Sequence, residues 1–332
     1  MPLYRASAAE AFGNAQQNPF AQWHRKDAPA DDPKGELAFQ RLRQPLFRPL
    51  VRPQFKIQRD DQLFAIGSCF ARGIERALVA RKMVVLSAAP EFDSFQTINS
   101  DVTGLGFTNK YNTYSLRNEL KWALDPSARF PEESVVDLAN GLCYDPHPTP
   151  TLPLADRAET FRRRSILTRV NSRIAACRVV IITLGLVEVW RDLEANIVIN
   201  TTPAREAIDR YPGRYEFRVS SFAENFANLE EIHSLLLRFG HPETQIVVTV
   251  SPVPLMWTFT QQDIVLANTY SKSLLRTAAQ EWAAAHENVH YFPSYEMVLN
   301  SARDSAWVED LRHVQGRLVN NIMDTFVGNY VG

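Results

Sequence analysis

Five short apolar or β-branched runs, at 63–66, 83–86, 179–184, 245–250 and 289–292, alternate with longer segments of helical periodicity. Strands separated by helices pair in parallel, because a parallel neighbour needs a crossover connection long enough to hold a helix. The pattern predicts a three-layer α/β/α sandwich with a mostly parallel five-stranded sheet. Helices are expected at 72–81, 114–124, 159–177, 267–286 and 315–326. The clearest begins at Ser221, where Glu224 completes a capping box, and it ends at Gly240. The stretches 87–112, 125–156 and 188–220 are long connections, of the kind that carry function or decorate a sheet edge.

A chain of 332 residues suffices for one large α/β domain. Residues 1–60 are rich in Pro, Ala and charge and read as an extended or partly disordered arm before a domain at 61–330. The hydrophobic share of 45%, the charged share of 22% and the net charge of −1 fit a globular protein with no nucleic-acid or membrane surface. The basic cluster Arg162-Arg163-Arg164 reads as a solvated helix face. Neither an apolar leader nor a membrane-length apolar window is visible, so a cytoplasmic location is the default expectation. Cys69, Cys143 and Cys177 form no CxxC pair, and the His residues have no metal-ligand spacing, so neither a disulfide framework nor a metal site is expected. His233 and His286 are expected on helix surfaces, as are Lys272 and Arg276, for which binding an anionic substrate group or a coenzyme phosphate is the alternative. Composition specifies no oligomeric state.

Chemistry concentrates where the run 63–66 stops and the amphipathic run 72–81 begins. Gly67-Ser68-Cys69 falls at this strand-to-helix turn, with the free N–H groups and positive dipole end of a helix beneath it. A thiol there is partly activated, whereas the competing hydroxyl of Ser68 needs a base close by, so Cys69 is the preferred nucleophile. Gly67 allows a tight turn and leaves room for an acyl group. Near the other end, Asp310-Leu311-Arg312-His313 supplies an imidazole and a carboxylate to orient it.

These residues resemble the GSCFA family, whose name is the string Gly67-Ser68-Cys69-Phe70-Ala71, within the SGNH/GDSL hydrolase-like superfamily. The resemblance continues in Tyr111-Asn112-Thr113, Thr183-Leu184-Gly185-Leu186-Val187-Glu188, Val250-Ser251-Pro252-Val253, Ser271-Lys272 and Asp310-x-x-His313, across about residues 60 to 320. It implies a flavodoxin-like sheet with Cys69 in the nucleophile's place, Ser68 in that of the superfamily's Asp, and Asp310 and His313 as its last block. Gly185 resembles an oxyanion-donor glycine. Val187 stands where the companion Asn is found, followed by Glu188, so Asn112 and the Cys69 backbone N–H are the alternative donors.

The implied activity is ester hydrolysis or O-acyl transfer on a carbohydrate or related small-molecule substrate through a Cys69 thioester. No cofactor is required, although acyl-coenzyme A is an alternative donor substrate. The competing expectation is a non-catalytic carbohydrate-binding or scaffold protein that retains the pocket. A redox thiol, with Cys143 or Cys177 approaching in space, is a third.

Overall fold

The computed structural model describes residues 2–30, 32, 35–95, 106–150 and 152–332. Part of the expected connection 87–112, namely 96–105, lies outside the described residues. In chain order, α1 (Ala8–Gln17) and α2 (Ala38–Arg41) are followed by β1 (Gln62–Gly67), α3 (Cys69–Ala80), β2 (Val84–Val85) and α4 (Thr113–Leu124). Next come β3 (Val136–Asp137), β4 (Cys143–Tyr144), α5 (Arg157–Ser172), β5 (Val179–Leu184), β6 (Glu188–Asp192) and β7 (Ile197–Ile199). The chain continues through α6 (Arg205–Arg210), β8 (Tyr215–Val219), α7 (Phe222–Phe239), β9 (Gln245–Val250), α8 (Ile264–Ala285) and β10 (Val289–Tyr291). It closes with α9 (Ser294–Leu299), α10 (Arg303–Ala306) and α11 (Gly316–Tyr330).

Two compact units result. One comprises Met1–Lys56 with Phe292–Val331, and the other Ile57–Tyr291 with Gly332. The first therefore takes in α1 and α2, which lie within the segment expected as an arm, together with α9 to α11. Its apolar centre includes Phe292, Phe326 and Tyr330, whose rings meet edge-on or stacked.

The second unit holds a five-stranded parallel sheet in the order β10-β9-β5-β1-β2. Counting only these strands, the order is that of a flavodoxin-like sheet, with its switch point between β1 and β5. All five expected runs are strands of this sheet. β5 is buried along its whole length, which is why it reads as an unbroken apolar run rather than an alternating one. Right-handed crossovers place α3 on one face and α7 and α8 on the other. The Ser221–Glu224 capping box forms as expected and starts α7.

The long connections contain structure that hydrophobic periodicity did not signal. β3 pairs with β4, and β7-β6-β8 form a separate three-stranded antiparallel sheet. Trp190 and Phe217 are cross-strand partners there, their ring centroids 5.3 Å apart. Among the described residues, no helix is long and apolar enough to cross a membrane.

Three surface expectations are corrected. Lys272 is buried, with its ammonium on a backbone carbonyl. His233 is buried between α7 and the chain before β10, bonded to Asn288. Within the basic cluster, Arg162 and Arg163 pair with Glu159 as on a solvated face, but Arg164 turns inward to Glu119.

Candidate active site

β1 ends in a turn that only glycine fits. Gly67 has φ of 129°, and a Cβ there would lie 2.2 Å from the Thr183 carbonyl oxygen. Gly67 is in register with Thr183 on β5, and the Ser68 amide donates to the Thr183 carbonyl at 3.0 Å. The strand end is thus pinned to its neighbour at the switch point, where open α/β sheets bind ligands.

Ser68 is the N-cap of α3. Its Oγ accepts the Phe70 amide at 3.3 Å and lies 3.0 Å from Thr183 Oγ1, and only 3% of the residue is exposed. Cys69 follows as the first residue of the helix and is partly exposed. The two candidate nucleophiles therefore occupy different environments: the hydroxyl caps the helix, and the thiol stands at its positive end. Arg72, one turn further on, is buried against Glu75 and the Ala65 carbonyl. Burial lowers its pKa, Glu75 acts against this, and the charge of a Cys69 thiolate adds to that opposition.

The opposite side of the β1 terminus is formed by 109–112. Asn109 bridges to Gly67, and the Lys110 amide donates to the Gly67 carbonyl at 2.7 Å. Asn112 is the N-cap of α4: its Oδ1 accepts the Ser115 amide at 2.8 Å, and its Nδ2 donates to the Ile199 carbonyl at 3.0 Å. Both ends of its amide are engaged in holding structure. Asn109, which motif matching passed over, differs. It is buried, its Oδ1 has no partner, and its Nδ2 reaches only the Tyr111 hydroxyl at 3.5 Å. The signal in the sequence was its place three residues before Asn112 in the same polar string.

Beyond β5, Gly185 packs so closely that a Cβ would lie 2.4 Å from the Tyr111 carbonyl oxygen. Lys272 Nζ donates to the Gly185 carbonyl at 2.7 Å, and the Val187 amide donates to Ser271 Oγ at 3.1 Å. α8 therefore clamps the backbone of this loop. Glu188 accepts from Thr258 Oγ1 at 2.6 Å and from the Phe259 amide at 3.0 Å, which ties down the loop after β9. Trp190 packs on Phe217 and Phe259, whereas Trp257 is 68% exposed. Ser251, at the end of β9, has a buried Oγ without a partner.

Asp310 and His313 belong to the first unit, Ser68, Cys69, Asn112, Gly185 and Glu188 to the second. The structure brings the acid and the imidazole together. His313 Nδ1 lies 2.5 Å from Asp310 Oδ2, while Asp310 Oδ1 accepts the amides of Arg312 and His313 at 2.8 and 2.9 Å. Leu311, at φ of 50°, makes the turn between them. The His313 amide, the His313 ring and the Arg312 amide hold the Asp310 carboxyl well below the usual carboxylate range. Arg312 Nη1 is 3.1 Å from His313 Nε2, and a guanidinium only donates. The network thus assigns the proton to Nδ1 and turns the Nε2 lone pair toward the Arg312 guanidinium, so Nε2 acts as a base only once Arg312 moves aside.

The other thiols are in different surroundings. Cys143 is raised by burial and by its hydrogen bond to Asp137, and burial pushes Cys177 up to about 12. Among the described residues, no group of three or more His, Cys, Asp or Glu side chains could hold a metal ion.

The family model described as the GSCFA family matches residues 62–326. No curated protein matches the chain. Two solved structures bear a distant likeness. A carbohydrate esterase family 2 enzyme with its carbohydrate-binding domain, from Corynascus thermopiles (Myceliophthora fergusii), is 11% identical at a TM-score of 0.35, covering 85% of this chain and 67% of its own. A family 3 carbohydrate esterase from Clostridium thermocellum is 9% identical at a TM-score of 0.30, covering 81% of this chain and 94% of its own.

Proposed function

The chain belongs to the GSCFA family, and we propose that it is an SGNH-like hydrolase or acyltransferase that moves an acyl group from an O-ester through a thioester on Cys69. The observation that carries this is the division of labour at the start of α3, where Ser68 is used as the cap and Cys69 stands partly exposed at the helix's positive end. Once Arg312 releases it, His313 Nε2 takes the thiol proton, and Asp310 holds the ring. The thiolate adds to the acyl carbon, the ester C–O bond breaks, and the departing alcohol receives the proton from His313. Water or a sugar hydroxyl then gives its proton to His313 and attacks the thioester, and Cys69 leaves as thiolate.

The oxyanion is received by the Cys69 backbone N–H, by the Gly185 loop and by Asn109. An amide whose oxygen end lacks a partner and whose nitrogen end makes only a 3.5 Å contact is equally satisfied after a half-turn, which presents its NH₂ as a donor. The substrate is a small O-acylated or acylatable carbohydrate. No cofactor takes part in these steps, and acyl-coenzyme A is the alternative acyl donor.

The second reading is a carbohydrate-binding or scaffold protein without chemistry. It is favoured by one observation, the engagement of Asn112 in holding α4 and β7. The rate of Cys69 alkylation as a function of pH separates the two. An activated thiol reacts well below pH 8, with a midpoint that rises in His313→Gln; slow reaction at every pH up to 9 supports the scaffold reading.

A further inference from the structure

Outside these residues, the first unit contains an open cavity of about 550 Å³ whose lining includes Arg41, Arg48 and Arg317 and no Asp or Glu. Its volume falls within the roughly 300–1,000 Å³ of small-molecule sites. None of the three arginines pairs with a carboxylate among the described residues. Arg41 lies over the rings of Phe20 at 4.7 Å and Phe47 at 5.5 Å, and its buried Nε has no hydrogen-bond partner. Arg48 directs Nε and Nη2 to one neutral oxygen, Asn321 Oδ1, at 2.8 and 2.5 Å. Arg317 is exposed in the first turn of α11, where the helix dipole adds to its charge.

Three cations lining one cavity without a carboxylate among the lining residues favour the entry of an anion. Arg41 is compensated by two ring faces and a 3.5 Å contact to the Arg48 carbonyl rather than by a carboxylate, and an entering anion would supply the counter-charge it lacks. Burial alone lowers the pKa of Arg41, in keeping with a charge that no carboxylate offsets. The planar fork of arginine suits the oxygens of a phosphate. The remaining lining is apolar, including Phe20, Leu46 and Pro49, so the site is built for more than an inorganic ion. Arg317 and Asn329 both line it and are about 18 Å apart along α11 at 1.5 Å per residue, which makes it a trough for an extended molecule.

We propose that this trough binds an extended organic phosphate, with its phosphate groups on Arg41, Arg48 and Arg317 and its apolar portion along Phe20, Leu46 and Pro49. Two sources carry that chemistry, a coenzyme A thioester and a nucleoside diphosphate. The first would be the acyl donor of the reaction proposed above, yet binding here does not depend on Cys69.

Calorimetric titration of the full chain with coenzyme A, ADP and inorganic pyrophosphate tests the assignment. Coenzyme A or ADP is expected to bind more tightly than pyrophosphate. Arg48→Gln and Arg317→Gln, both at exposed positions where the fold tolerates change, are each expected to weaken binding by about tenfold or more. Cys69→Ala is expected to bind as the wild type does, which separates this site from the thioester chemistry. Tighter binding of coenzyme A than of ADP identifies the acyl-donor source, and equal binding identifies the nucleotide. Absence of binding, affinity no better than that of pyrophosphate, or indifference to both arginine substitutions overturns the proposal.

Discussion

Ser68 Oγ lies 3.0 Å from Thr183 Oγ1 while accepting the Phe70 amide, so the serine of the Gly-Ser-Cys turn ties the start of α3 to β5. Ser68→Ala removes the cap and leaves the Thr183 hydroxyl buried without this partner. A loss of roughly 1–3 kcal/mol is expected in urea unfolding. Acyl transfer to Cys69 is expected to survive, which a mass measurement on the variant checks.

Asn109 and Asn112 are expected to separate by phenotype. Asn112→Ala breaks a cap and a brace to β7, lowering stability by about 1 kcal/mol or more. Asn109→Ala removes a donor from the site and is expected to lower kcat by roughly 10²–10³-fold with little change in KM. Steady-state kinetics beside thermal unfolding of the two variants shows which residue does which.

The central sheet was legible because its inner strands are buried on both faces and read as short apolar runs. Val179–Leu184 and Gln245–Val250 are strands over the expected spans. β6, β7 and β8 were not legible: they are short, only partly buried, and held by ring contacts such as Trp190 with Phe217 rather than by a periodic apolar face. Lys272 was misplaced for a related reason. A lysine on a helix is normally solvated, and the carbonyl of Gly185, 87 residues away in sequence, helps to make its burial tolerable. Asn112 carried the right residue type, but a sequence does not reveal that both ends of an amide are engaged.

Glu119 is the anchor of a buried charge cluster. It meets Lys110 at 2.6 Å and also pairs with Arg164 and Asn171. Burial would raise its pKa, but Arg164 and Lys110 beside it hold the carboxyl down, to about 2 against 4.5 ordinarily. A depressed carboxylate stabilises the fold fully above about pH 4.5, and that contribution is lost as pH falls through about 2. Glu119→Gln, which leaves two cations without their anion, is expected to lose roughly 3–5 kcal/mol at pH 7. The gap to wild type narrows between pH 4.5 and 2 in urea unfolding series.

Asp310 stays ionised through the ordinary carboxylate range, because hydrogen bonds from the amide and ring of His313 and from the Arg312 amide all favour its charged form. The acid limb of the pH–rate profile is therefore expected to report a group other than Asp310. Asp310→Asn keeps the shape but loses the charge that orients the imidazole, and kcat is expected to fall by roughly 10³–10⁴-fold. Rate profiles of wild type and variant between pH 4 and 9 test both statements.

The most direct test of the central claim is intact mass spectrometry of wild type, Ser68→Ala and Cys69→Ala after brief exposure to a chromogenic acetyl ester. A transient acetyl adduct on wild type and on Ser68→Ala, absent from Cys69→Ala and matched by chromophore release, is the predicted result. An adduct that persists in Cys69→Ala, or that disappears in a folded Ser68→Ala, would contradict a thioester on Cys69.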